Sequence, residues 1–195
     1  MKENRQKIYD EYAGEKNKIL ARTMTVYDRY FEANLIINEL KRQNIDFATL
    51  SVLDYGCACG DYGISLARNG AAVGFIDIVP ANVAFAEYRL DRENLKKIIE
   101  VPNFVIFGEV LEHLDHPLEV LKQYKCKYLF TSSYPFRTDD PNDKYWDGAF
   151  RGSGLPGDHT KTAFEEQPAC REYLEECYNA VRWTEGGGAT LWMIK

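Results

Sequence analysis

The chain has 195 residues, of which 45% are hydrophobic and 28% charged, and a formal net charge of −6. That is enough chain for a single domain, 1–195, with one sizeable core, and the acidic balance argues against a broad nucleic-acid or anionic-membrane surface. No apolar run approaches a membrane span and MKENRQKIYDEY lacks a signal-peptide core, so no membrane partner and a cytoplasmic location are expected.

The five cysteines, Cys57, Cys59, Cys126, Cys170 and Cys177, are odd in number and show no zinc-ligand spacing. They suit a reducing compartment, and no metal is expected.

Residues 4–43 read as two helical pieces with a break near 21–23. In the second piece Tyr27, Tyr30, Phe31, Asn34, Leu35, Asn38 and Leu40 recur at three- and four-residue steps and predict one apolar face. Residues 1–45 then form either a lid, with Tyr27 and Tyr30 reaching a substrate, or helices packed on a sheet edge.

Residues 51–77, SVLDYGCACGDYGISLARNGAAVGFID, carry the strongest pattern. A short apolar strand with an acid, Asp54, runs into the small-residue turn Gly56-Cys57-Ala58-Cys59-Gly60. Asp61 is a plausible N-cap for a helix that Asn69-Gly70 closes. A second strand, 72–76, ends at Asp77. Small residues let a ligand approach the backbone, and an acid about 20 residues beyond the first glycine suits a ribose diol.

Pro80 starts the next helix. Phe85, Tyr88, Leu95, Ile98 and Ile99 keep an apolar face, which predicts one continuous helix over 80–99. A parallel strand at 96–101 is not expected, because Pro102 and Asn103 are too few for a crossover to the strand at 104–107.

GEVLEHLDHP then follows a central strand, which places Glu109 at the ligand edge and leaves His113 as either a base or a packing residue. His116-Pro117 begins another helix. A strand at 127–132 leads to SSYPF (132–136), with Tyr134 at the ligand edge. The polar loop 137–161 carries Tyr145, Trp146 and Phe150 as stacking surfaces and, at its end, His159 as either a base or a surface residue. Its acids do not match calcium-loop spacing. A helix over 162–177 and strands at 178–184 and 189–194, joined by a glycine turn, complete the chain.

VLDYGCACG, GFIDI and FGEVLEHLDHP (107–117) together resemble the class I S-adenosylmethionine (SAM)-dependent methyltransferases, over about residues 50–134. The resemblance implies a Rossmann-like doubly wound α/β fold, mostly parallel, with an antiparallel C-terminal hairpin. The family's third strand and its helix would be deleted here, leaving about six strands. It implies SAM as cofactor and S-adenosylhomocysteine (SAH) as product. Asp54, Tyr55, Gly56, Cys57, Gly60, Asp77, Ile78 and Glu109 would line the cofactor: the glycines pass the backbone beside it, Asp54 reaches its methionine end, Asp77 holds the ribose and Ile78 meets the adenine. Ala58 stands where the family usually has a third glycine. His159, Glu109 and His113 are the catalytic candidates, and Tyr27, Tyr30, Tyr134 and Trp146 the substrate-side ones.

The leading expectation is methyl transfer to an oxygen or nitrogen of a small molecule or sugar-like metabolite, by a monomer or homodimer. The alternatives are a non-catalytic nucleotide-binding or protein-interaction module on the same fold and, less favoured by the charge, a nucleic-acid methyltransferase.

Overall fold

A computed structural model of the chain describes residues 27–98, 101–132, 135, 159–183 and 189–195. Its helices are α1 (Tyr27–Arg42), α2 (Asp61–Ala67), α3 (Pro80–Arg92), α4 (Pro117–Gln123) and α5 (Lys161–Cys177), with 3₁₀ turns at Phe47–Thr49 and Leu111–His113. The strands are β1 (Ser51–Tyr55), β2 (Ala72–Ile76), β3 (Phe104–Gly108), β4 (Tyr128–Ser132), β5 (Tyr178–Arg182) and β6 (Ala189–Ile194). They form one six-stranded sheet in the order β2-β1-β3-β4-β6-β5. β1 and β2 are parallel, whereas β6 runs antiparallel to both β4 and β5. This is the α/β fold with an antiparallel C-terminal pair that the sequence leads one to expect. By compactness the chain divides into Met1–Ile106 and Phe107–Lys195.

In the first unit α1 buries Ala33, Ile36, Ile37 and Leu40, a stripe at i, i+3, i+4 and i+7. This corrects the predicted face: Tyr30 and Phe31 are 37% and 55% exposed. The predicted face also carries Asn34 and Asn38, both exposed, whereas the Ala-Ile-Ile-Leu stripe is wholly apolar and takes the core. Residues 4–26, and so the first helical piece, lie outside the described residues.

A second correction concerns the start of α2. Gly60, in the left-handed region at φ 77°, is the N-cap, and Asp61 is the first helical residue. A side chain there cannot reach back to cap, and Asp61 turns instead to Arg89 of α3.

The third correction is the course of 93–103. α3 does not run to Ile99; it stops at Arg92. Asn94 adopts φ 51°, its N–H donates to Asp91 O (3.0 Å), and the Leu95 N–H reaches back to Leu90 O (3.0 Å). That pair of bonds is a Schellman stop, with asparagine in the place usually held by glycine. The chain then pairs in parallel with the edge of β2 through a single bridge, Lys97 to Val73. Val73 N–H donates to Lys96 O (2.9 Å) and Ile98 N–H to Val73 O (3.0 Å).

Among the described residues the third strand is thus absent from the six-stranded sheet, as expected, and a one-residue remnant stands in its place. The crossover objection fails because the bridge lies near the amino end of β2, so little return travel is needed. The chain arrives at the amino end of β1, where Asn103 N–H donates to Ser51 O (2.9 Å) and Asn103 Oδ1 accepts from Ser51 N (3.0 Å). Gly74 makes room for the remnant, since a Cβ there would lie 2.4 Å from Ile98 Cγ2.

In the second unit every residue of β4 is buried. Leu191 and Trp192 of β6 are fully buried, and the indole N–H of Trp192 donates to Thr131 Oγ1 at 3.0 Å. Pro117 occupies the first turn of α4, as its sequence position predicts. Thr160 caps α5, its hydroxyl oxygen accepting from Ala163 N (2.9 Å). Among the described residues no helix is long and apolar enough to cross a membrane.

Candidate cofactor and active site

The turn after β1 owes its shape to three residues with left-handed backbone: Gly56 (φ 70°), Ala58 (φ 46°) and Gly60 (φ 77°). The N–H groups of Gly56 and Cys57 both donate to Ile76 O, at 2.7 and 3.0 Å, which ties the turn to the end of β2. A Cβ on Gly60 would meet Ala86 Cβ at 2.8 Å and Phe75 Cε1 at 3.0 Å. At Gly60 the turn therefore packs bare backbone where no side chain fits.

Asp77 holds this turn in place. Its Oδ2 accepts from Ala58 N at 2.8 Å, while Oδ1 accepts from Val79 N (2.8 Å) and Asn82 Nδ2 (3.2 Å). A carboxylate offers about four acceptor positions and three are taken, so one remains for a ligand hydroxyl. Ile78 beside it is 44% exposed, and Tyr55 at the end of β1 is half-buried. Backbone cradle, acid and exposed apolar side chain together fit an adenosyl cofactor.

Asp54 is buried and accepts from Gly63 N at 2.9 Å. Burial pushes its pKa up to about 7, against the opposing pull of that hydrogen bond and of Arg29. Gly63, which sequence reasoning passed over, is required there: a Cβ would lie 2.6 Å from Phe75 Cε1 and 2.8 Å from Val73 Cγ1. Cys57 is buried, and burial raises its thiol well above the usual range, which makes it a packing residue rather than a nucleophile.

Asp61 and Arg89 were also missed as a pair. Arg89 Nη1 donates to Asp61 Oδ1 (2.7 Å) and to Cys59 O (2.5 Å), so α3 clamps the far end of the turn. Its Nη2 donates to Tyr30 OH at 3.4 Å, which puts that predicted substrate-side tyrosine against this cluster. Asp61 Oδ2 is buried, with no hydrogen-bond partner among the described residues. Tyr27 is the first residue of α1; Tyr134 and Trp146 lie outside the described residues.

The other catalytic candidates belong to the second unit. Glu109, exposed after β3 with φ 56°, accepts from Ser132 Oγ at 3.1 Å. His113 ends the 3₁₀ turn, and its ring centroid is 4.9 Å from that of His159, both side chains half-buried. The two predicted histidines are thus brought together. Glu112, which the sequence did not single out, is fully buried and joins them: donor atoms of Glu112, His113 and His159 all lie within 4.8 Å of one another. Sequence spacing does not bring these three together, because they are two neighbours in sequence and a third far along the chain.

With this geometry in hand, a family model described as a methyltransferase domain matches residues 20–134. The chain belongs to this methyltransferase family, an enzyme class whose methyl donor is SAM.

Solved structures agree on the fold. A SAM-dependent methyltransferase from Aquifex aeolicus is 18% identical over 92% of this chain and 98% of its own, with a TM-score of 0.56. Magnesium protoporphyrin IX methyltransferase from Synechocystis, with bound SAM, is 17% identical over 84% of this chain and 77% of its own (TM-score 0.53). A putative caffeoyl-CoA O-methyltransferase from Staphylococcus aureus is 12% identical over 98% and 99% (TM-score 0.51). No curated protein sequence matches the chain.

Proposed function

We propose that the protein transfers a methyl group from SAM to an oxygen or nitrogen nucleophile of a small molecule or sugar-like metabolite, with residues 1–195 acting as one cytoplasmic domain, monomeric or homodimeric. The bound cofactor supplies an electrophilic methyl group on a sulfonium. The chain's own task is alignment and proton removal.

In this reading the backbone of Gly56 to Gly60 lies along the cofactor, Asp77 takes a ribose hydroxyl and Ile78 covers the adenine. Asp54, neutral or charged near pH 7, sits under the methionine end and gains by ionising beside an ammonium group. Glu109 and His159 are the acceptors for the nucleophile's proton.

The observation that carries the proposal is the pairing of His113 and His159 at 4.9 Å beside a buried glutamate, a cluster of proton-accepting and ligating groups that a plain scaffold would not need. Two of the structural relatives are named for small-molecule acceptors, a porphyrin and an acyl-CoA, which supports that substrate class.

The test is conversion of SAM to SAH across a panel of hydroxyl and amine acceptors. Turnover that falls 10²-fold or more in His159→Ala, with SAH affinity intact, supports the reading. A folded protein that binds SAH yet turns over no acceptor supports the nucleotide-binding module instead.

A further inference from the structure

We propose that Glu112, His113 and His159 bind one divalent transition-metal ion and leave its remaining coordination positions open to oxygen ligands. Two imidazoles and a carboxylate favour manganese, iron, cobalt or zinc over magnesium or calcium, which prefer all-oxygen sites. Three protein ligands with open positions is the arrangement of a metal that works on a substrate rather than one that staples a fold.

Backbone clamps fix the site before any ion arrives. Thr160 N–H donates to Glu112 O at 2.9 Å, and the Thr160 hydroxyl donates to Leu114 O at 2.7 Å. The carbonyls on either side of His113 are therefore both tied to the residue that follows His159. Thr160 is itself fixed as the cap of α5. Two segments distant in sequence are held in one register, and the donor atoms they carry fall within 4.8 Å. Metal–ligand bonds of about 2.1 Å place donors sharing an ion roughly 3 to 4 Å apart, so small side-chain rotations close the set.

Glu112 adds a fully buried carboxylate to the two imidazoles, a mixed oxygen and nitrogen donor set.

The consequence for the reaction rests on the methyl-transfer reading above. An ion here makes His113 and His159 ligands, so that His159 gives up the proton-accepting role above and Glu109 alone keeps it, and selects a hydroxyl-bearing acceptor whose oxygen enters an open coordination position.

The test uses untagged, chelator-treated protein without SAM, titrated with Co²⁺ and separately with Mn²⁺. The expected result is saturation at one ion per chain, with affinity at least tenfold weaker in His113→Ala, His159→Ala and Glu112→Gln. SAH affinity is measured on the same samples, so failure of the cofactor reading registers separately from failure of the metal site. As a readout on the native chain, Zn²⁺ should shift the ring-nitrogen resonances of two of its three histidines, leaving His116 unmoved. Absence of saturable binding, binding indifferent to the three substitutions, unshifted ring nitrogens, or an intense cobalt–thiolate band placing the ion on cysteine would each overturn the proposal.

Discussion

The N–H of Ala58 donates to Asp77 Oδ2 at 2.8 Å, so the acid that ends β2 fixes the turn that ends β1. One carboxylate thereby shapes the ligand cradle and sits at its edge. Replacing Asp77 by alanine removes three hydrogen bonds to that carboxylate. The expected cost is about 1.5–3 kcal/mol in urea unfolding at pH 7, bonds to a charged group being the strong ones. A change below 0.5 kcal/mol would show that the bonds do not form in solution.

Ala58 occupies the left-handed region at φ 46°. An L-residue there costs about 1–2 kcal/mol, which glycine avoids, while glycine loses about 0.5–1 kcal/mol through its freer unfolded chain. Ala58→Gly should therefore be neutral or stabilising by up to about 1.5 kcal/mol, and Ala58→Val clearly destabilising. Equal melting temperatures for the two variants would contradict the observed turn.

Gly63 and Gly74 are glycines because neighbours fill the space of a side chain. Gly63→Ala, with contacts of 2.6 and 2.8 Å, should cost about 1–3 kcal/mol by overpacking. Gly74→Ala pushes against Ile98, so its signature is local: the Ile98 amide, bonded to Val73 O, should exchange slowly in the native chain and faster in the variant. An Ile98 amide unprotected in the native protein would remove the strand remnant.

Asp54 gives a pH dependence of definite sign. Burial raises it from 3.8 to about 7, so between those values the folded chain binds a proton that the unfolded chain releases. Stability from this group is full below pH about 4 and is lost as pH rises toward 7, at no more than about 1.4 kcal/mol per pH unit. Asp54→Asn lacks this slope. Unfolding free energies at pH 5 and 7.5 should converge or cross between the two proteins, and a constant difference would refute the buried titration.

The unit from β1 to Asp77 is legible in the sequence because strand, glycine turn, helix and acid each leave a local signature. The end of α3 is not, because Asn94 stops the helix by adopting a backbone conformation most often given to glycine. The face of α1 was misjudged through its aromatic residues, which weigh heavily in a periodicity yet leave Asn34 and Asn38 on the same side. In the site, His113 and His159 could be named singly, but their meeting depends on Thr160 bonding to the carbonyls around His113. Glu112-His113 as adjacent potential ligands, in a chain with only three histidines, was the available signal. Its third partner waits on tertiary structure.

If the 56–60 turn and Asp77 form a SAM site, titration calorimetry with SAM and SAH will show it in the native protein set beside a folded Asp77→Ala variant. The expected result is saturable one-to-one binding of both, weakened at least tenfold by the substitution. A folded native protein that binds neither, or an Asp77→Ala variant that binds both as tightly, would contradict it.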